Sequence, residues 1–300
     1  MDTIARIKEL KAALGAVILA HNYQLPEVQD IGDFVGDSLA LAMQAQKASA
    51  PVIVCCGVRF MAETAKILSP SAQVLLPASG AGCPMADMSD PAEVAAYRKA
   101  HPDTILVAYV NTTAAVKAQV DICCTSANAD RVLRSLPADR EIMFLPDRNL
   151  GRNVAKQLGR EVQVWPGCCP VHDAVTAESL LAMKRLHPKA LALVHPECRP
   201  EVVAVADAAL STGGMVKFIR ESACQEFIVG TEGGILHRLA LENPSKRLYP
   251  LEPALVCPDM KKTTLEDVLR ALETRQEAIE LPADILEKAR RPIERMLALG

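Results

Sequence analysis

One spacing occurs three times along this chain and limits what it can fold into. His21 is followed by Asp33 after 12 residues and by Ser38 after 5 more, and the same two intervals lead from Tyr109 to Asp121 and Ser126, and from His195 to Asp207 and Thr212. Each third then reaches a Cys-Pro pair: Cys83-Pro84, Cys169-Pro170 and Cys257-Pro258 lie 45, 43 and 45 residues beyond the hydroxyl residue. With 10 cysteines and 20 prolines among 300 residues, chance predicts fewer than one Cys-Pro dipeptide. Three in the same phase mark an internal repeat of about 85 residues.

The repeats have an α/β rhythm. AVILAHNY, APVIVCCG and QVLLP in the first third read as strands, as do ILVAYVN, DICCTS, EIMFLP and VQVWP in the second and LALVHPE, AALST, FIVGT and RLYPLEP in the last. Between them LALAMQAQKA, MAETAKIL, ADRVLRSL, NVAKQLG, VKFIRESA and ILHRLAL carry the 3.6-residue period of helices. Strands alternating with helices imply parallel sheets. The expected fold class is therefore α/β, with three homologous parallel-sheet sandwich domains around a pseudo-threefold axis. Residues 1–101 would form the first repeat with an N-terminal helix, 102–188 the second, and 189–300 the third with a C-terminal helix. No Pro/Gly/Ser-rich linker separates them, so tight packing is expected. The tail ADILEKARRPIERMLAL reads as the closing helix, kinked or broken at Pro292.

Several function classes are disfavoured by composition. A net charge of −3 and 3% aromatic residues argue against nucleic-acid binding. No apolar run approaches the roughly 18 residues of a membrane helix, and the N-terminus lacks a signal-peptide pattern, so no membrane association and a cytoplasmic location are expected. In a reducing compartment ten cysteines do not suggest a disulfide framework, and the absence of C-x-x-C argues against a thioredoxin-like site or zinc ribbon.

In parallel sheets ligands bind beyond the carboxyl ends of the strands. Equivalent loops would then bring Cys83, Cys169 and Cys257 to one centre, where three thiolates suit either zinc or an iron–sulfur cluster. A [4Fe–4S] cluster held by three cysteines keeps one iron open, able to act as a Lewis acid. Strand-end residues two apart point to the same side, so His21 with Tyr23, Tyr109 with Asn111, and His195 with Glu197 would ring the centre. Ser38, Ser126 and Thr212 add hydroxyls suited to an anionic substrate, although each could instead be a helix cap. Asp33, Asp121 and Asp207 read as structural. Glu197 is the expected acid/base, as the carboxylate of the ring. In GCCPVH (167–172), Cys169 is the expected ligand because a proline follows it, and Cys168 is expected only to pack. The runs STGG (211–214) and TEGG (231–234) read as glycine turns, Lys261-Lys262 as a solvated helix start, and Cys198 and Cys224 as incidental.

These segments resemble the quinolinate synthase family. The likeness is carried by AHNYQLPEVQDIGDFVGDS, GAGCPMAD, YVNTTAAVKAQVDICCTSAN, PDRNLG, CPVH, VHPEC, STGGM, GTEGGILHRL and CPDMKKTTLEDVLRAL, over nearly the whole chain. The resemblance implies three α/β domains around a [4Fe–4S] cluster on Cys83, Cys169 and Cys257. It implies condensation of iminoaspartate with dihydroxyacetone phosphate to quinolinate, with loss of phosphate and water, for NAD biosynthesis, and a link to an iminoaspartate-producing enzyme. It further implies that His21 and Ser38 bind the phosphate end, that Tyr109, Asn111, Ser126, His195 and Thr212 bind the dicarboxylate, that Tyr23 and Glu197 transfer protons, and that His172 contacts the site. One departure is visible. Some members carry a C-x-x-C-x-x-C run at the last cluster cysteine, whereas Cys257 is followed by PDMKKTTL. Two rival readings use the same scaffold: a three-cysteine zinc hydrolase, and a non-catalytic iron–sulfur sensor or carrier.

Overall fold

Unbroken apolar runs such as VIVCC and IMFL cannot show one face to water, and as strands they need cover on both sides. Every residue of both runs is buried. The computed structural model describes residues 2–276 and 278–300. Its strands are β1 (Ala16–His21), β2 (Phe34–Gly36), β3 (Val52–Cys56), β4 (Gln73–Leu75), β5 (Ile105–Tyr109), β6 (Ile122–Cys124), β7 (Ile142–Leu145), β8 (Gln163–Val164), β9 (Leu191–Val194), β10 (Ala208–Ala209), β11 (Glu226–Gly230) and β12 (Arg247–Pro250). They form three parallel sheets with one shared order, β2-β1-β3-β4, β6-β5-β7-β8 and β10-β9-β11-β12. The fold is α/β, with three similar domains. The equivalent residues Leu19, Val107 and Leu193 belong to one contiguous hydrophobic cluster, so the domains share a core.

The repeated aspartates are clamps. Asp33 Oδ2 accepts the Ile18 N–H at 2.8 Å, Asp121 Oδ2 accepts that of Leu106 at 2.8 Å, and Asp207 Oδ2 accepts that of Ala192 at 2.7 Å. The N–H of each aspartate returns the bond to the same partner's carbonyl. A cation from the helix before each sheet completes the clamp: Lys11 at 2.6 Å, Arg98 at 2.5 Å and Lys184 at 3.0 Å. The edge strands β2, β6 and β10 are only 3, 3 and 2 residues long, and the clamp satisfies backbone groups that so short a ladder leaves open.

The helix starts free the hydroxyls. Asp37, not Ser38, caps the helix Ser38–Lys47, accepting the Ala40 N–H, and Ser211, not Thr212, caps Thr212–Glu221, accepting the Gly214 N–H. In the second repeat Ser126 precedes the helix Ala129–Ser135. The capping alternative for these three residues is thus not the one taken.

After the third sheet the chain crosses back. The helix Leu265–Thr274, begun by a Thr264/Asp267 capping box, packs on the N-terminal helix Thr3–Leu14 and on β3. The helix Ala283–Ala298 packs on β6 and on the helices Ala114–Lys117 and Arg59–Leu68. Pro292 is buried inside that last helix without ending it. The tail therefore ties the first two domains together. Among the described residues, no helix is long and apolar enough to cross a membrane.

Candidate active site

The carboxyl ends of the three sheets face one central cavity of about 160 Å³. All three kinds of residue expected from the sequence line it: Cys83, Cys169 and Cys257; His21, Tyr23, Tyr109, Asn111, His195 and Glu197; and Ser38, Ser126 and Thr212. They come from all three domains.

Each cysteine sits just before a proline-initiated turn. Pro84–Asp87 and Pro170–Asp173 are single helical turns, and Pro258 opens a non-helical turn over 258–261. Backbone N–H groups of the turn point back at the sulfur: Ala86 at Cys83, His172 at Cys169, and Met260 at Cys257. The third residue beyond the cysteine donates in every case, joined by the second at two sites, Met85 at Cys83 and Asp259 at Cys257. Burial nevertheless pushes all three thiols upward, Cys83 to about 12. Buried thiols of this kind become thiolates when a metal supplies the positive charge, so the donor set fits a metal centre. The chemically compact group is a different one: the ligand atoms of Cys169, His172 and Glu197 lie within 4.8 Å of one another.

The six strand-end residues do three kinds of work. His21 Nδ1 accepts the Tyr23 N–H at 3.1 Å, and His195 Nδ1 accepts the Glu197 N–H at 3.4 Å. Burial lowers both imidazoles to about 3, so each is neutral with its proton on Nε2. Asn111 Oδ1 is buried without a hydrogen-bond partner among the described residues, an acceptor open to a ligand. Glu197 accepts from the Tyr109 hydroxyl at 2.5 Å and lies 2.7 Å from His172 Nδ1. Burial alone would raise this carboxyl, but the His195 and His172 rings and the hydrogen bonds from His172 and Tyr109 outweigh it and hold Glu197 ionised, below the usual carboxylate range. Burial and the Glu197 charge keep Tyr23 and Tyr109 protonated. Thr212 Oγ1 is partly engaged, accepting from Asn22 at 3.0 Å.

The structure also brings in residues that the sequence reading passed over. Glu197 is not the sole carboxylate of the cavity wall, since Asp37, Glu232 and Asp259 line it too. Asp147 and Glu232 occupy equivalent places two residues beyond β7 and β11, and each accepts the N–H of its domain's cysteine, Cys169 at 3.2 Å and Cys257 at 3.3 Å. Val58 holds the equivalent place beyond β3. Lys261 is no solvated helix start. Its Nζ lies 2.9 Å from Glu232 and donates to the Tyr23 carbonyl at 2.5 Å. The glycine runs serve close approach between domains. A Cβ on Gly234 would meet the Tyr23 carbonyl oxygen at 2.7 Å, and one on Gly213 would meet Asp37 Oδ2 at 2.5 Å. His172 is buried between His195, on which it stacks at 4.6 Å, and Thr231. Cys168 points instead toward Arg148 and Asp173, partly exposed.

Fold and site together define a three-domain α/β enzyme built around a cysteine-lined central cavity. The family model described as NadA, quinolinate synthetase A protein, matches residues 5–298. The chain is 52% identical over 298 residues to a quinolinate synthase of Desulforudis audaxviator (strain MP104C), covering 99% of this chain and 98% of that one. It is 53% identical over 295 residues to that of Pelobacter propionicus (strain DSM 2379 / NBRC 103807 / OttBd1), covering 98% and 97%. The chain belongs to the quinolinate synthase family.

Proposed function

We propose that this enzyme condenses iminoaspartate with dihydroxyacetone phosphate to quinolinate, releasing phosphate and water, as a step of NAD biosynthesis in the cytoplasm, with iminoaspartate supplied by a separate iminoaspartate-producing enzyme. The domains divide as 1–101, 102–188 and 189–300. Cys83, Cys169 and Cys257 hold a [4Fe–4S] cluster, which when bound supplies an iron with an open position as a Lewis acid toward a substrate oxygen.

The protein's own groups do the rest. His21 and His195 offer Nε2–H donors without charge, so they bind anionic oxygens without taking a proton from them. Ser38 joins His21 at the phosphate end. Tyr109, Asn111, Ser126, His195 and Thr212 bind the dicarboxylate, with Asn111 Oδ1 accepting from the substrate nitrogen. Glu197, ionised and held at both oxygens, receives protons, and Tyr23 is its partner across the cavity. The dry walls formed by Val58, Phe60, Met85 and Met260 keep water from an imine that it would hydrolyse.

The observation that supports this reading most directly is the set of three Cys-Pro turns, each aiming an N–H at its sulfur around one cavity. Anaerobic turnover tests it. Protein purified without oxygen should be brown, and given both substrates it should form quinolinate and phosphate in equal amounts. Glu197→Gln should keep its iron and lose turnover by roughly 100-fold or more. Colourless protein carrying stoichiometric zinc would sink the cluster assignment, and full turnover in Glu197→Gln would sink the acid/base assignment.

A further inference from the structure

The turn that carries Glu197 lacks a hydrogen-bonded ladder of its own. β9 ends at Val194, and among the described residues no main-chain N–H reaches the carbonyls of Pro196, Glu197 or Cys198. Two side-chain amides from the second domain reach them instead. Asn149 and Asn153 stand four residues apart on the helix Arg148–Leu158 and so share one face of it. Asn149 Nδ2 donates to the Glu197 carbonyl at 3.1 Å and to Asp173 Oδ1 at 2.8 Å. Asn153 Nδ2 donates to the Pro196 carbonyl at 2.9 Å and to the Cys198 carbonyl at 2.8 Å. An amide nitrogen has two protons, so both donors are fully used. Three consecutive carbonyls are thereby fixed from one helix face, across a domain boundary.

The start of that helix also holds the second cysteine. Asp147 caps it and accepts the Cys169 N–H, and Asp173, the other partner of Asn149, ends the turn that Cys169 begins. One helix therefore sets Glu197 relative to Cys169. The other two domains make a similar hand-over to their neighbours. Arg238, at the place equivalent to Asn153 in the third domain, donates to Asn22 Oδ1 at 3.0 Å, between His21 and Tyr23 of the first. Glu63, one residue before the equivalent place in the first domain, accepts the Ala114 N–H at 2.8 Å, just beyond Asn111 of the second. Each helix thus touches the next domain's strand-end segment, and the second does so through amides placed on the backbone of Glu197 and its neighbours.

We propose that Asn149 and Asn153 are positioning residues that hold Glu197 in register with Tyr109 and the bound substrate. Neither lines the cavity, so both act through the Glu197 backbone. This inference rests on the reading of Glu197 as the proton acceptor, and the experiment separates the two.

Asn153→Leu is the cleaner probe, because Asn153 makes no bond to the Cys169 turn. It removes both donors and keeps a side chain of similar shape. It should lower kcat roughly 10- to 100-fold, since a displacement of about 1 Å can cost about 100-fold. KM should stay within about threefold, and iron content should match the parent. Added to Glu197→Gln and followed in single turnover with enzyme in excess, Asn153→Leu should cost less than about twofold further, because the group it positions is already gone. If Glu197→Gln alone keeps full turnover, the reading of Glu197 fails and the asparagines have no proton acceptor to position. If Glu197→Gln is impaired but Asn153→Leu turns over within about twofold of the parent, loses iron in proportion to its turnover, or multiplies the loss in the Glu197→Gln background, Glu197 stands and the positioning inference is overturned. Asn153→Ala is read by the same criteria if the leucine variant does not accumulate.

Discussion

Replacing Lys261 by methionine should destabilise the whole molecule by an amount that follows from its contacts. The side chain is 23% exposed and its partner Glu232 only 1%. Removing Lys261 leaves a buried carboxylate without its cation and the Tyr23 carbonyl without its donor. Breaking a buried pair from one side costs about 3–5 kcal/mol. Glu232 still accepts N–H bonds from Gly234 at 2.7 Å and from Cys257 at 3.3 Å, which favours the lower end. With an unfolding entropy near 2.1 cal/mol/K per residue, 300 residues give about 0.6 kcal/mol/K, so about 3 kcal/mol lowers Tm by about 5 °C. The assay is scanning calorimetry under anaerobic conditions, with the double variant Lys261→Met/Glu232→Gln as a control. Removing both charges should recover at least half of the loss, because the cost comes from the stranded carboxylate. A Tm within 1 °C of the parent for Lys261→Met would refute the reasoning and return Lys261 to the solvent-exposed role its sequence suggests.

Three further outcomes are expected. Asp33→Ala, Asp121→Ala and Asp207→Ala should each lower stability by about 1–3 kcal/mol in urea titrations, and by similar amounts, because each strands one backbone N–H; a large cost at one site and none at the others would contradict the shared clamp. His21 and His195 are buried with values lowered to about 3, so below the ordinary imidazole range the unfolded chain takes up protons that the folded chain refuses. Stability is then complete above pH ~6.5 and falls by about 1.4 kcal/mol per pH unit for each histidine as the pH drops toward 3, and His21→Gln should flatten that slope in melts at pH 7.5, 6 and 5. Cys169→Ser should lose iron by colorimetric assay whereas Cys168→Ser should keep it; the reverse would exchange the two cysteines' roles.

The fold was legible because its evidence is periodic. Spacing between His21, Asp33 and Ser38 survives in all three thirds, and inner strands such as VIVCC and IMFL are apolar throughout. The edge strand β2 went unseen: it is the three residues Phe34–Gly36, too short to alternate and with an exposed phenylalanine at its start. Of the two outcomes expected at Pro292, a break does not occur, since the final helix is held from outside by β6 and its neighbours and continues past the missing hydrogen bond. Within the site, residues at the ends of the first strands were visible through their i, i+2 pattern. Asp147 and Glu232 were not, although a signal existed: they lie 38 and 37 residues beyond Tyr109 and His195, where Val58 lies 37 beyond His21. A valine in the first copy conceals the equivalence. Thr231 and Lys261 could not be read at all, because their partners, His172 and Tyr23 for the first and Glu232 and Tyr23 for the second, are distant in sequence and meet only on folding.

The division between repeated and unrepeated residues explains how a threefold scaffold supports one-sided chemistry. What recurs is what must hold a symmetric object: the aspartate clamps that square each sheet, and the Cys-Pro turns that set a cysteine in the cavity wall with a backbone N–H toward its sulfur. What diverges sits at equivalent places on the rim. His21, Tyr109 and His195 share a position, as do Tyr23, Asn111 and Glu197, yet the second trio is a phenol, an amide and a carboxylate. Three copies of any one of these would bind a threefold ligand and could not tell its ends apart. A carboxylate repeated three times would also place like charges in one dry cavity and shift each toward protonation. Keeping Glu197 alone in its trio leaves it ionised between Tyr109 and His172, and setting the amide and the phenol in the other two domains gives the cavity an accepting side, a donating side and a direction.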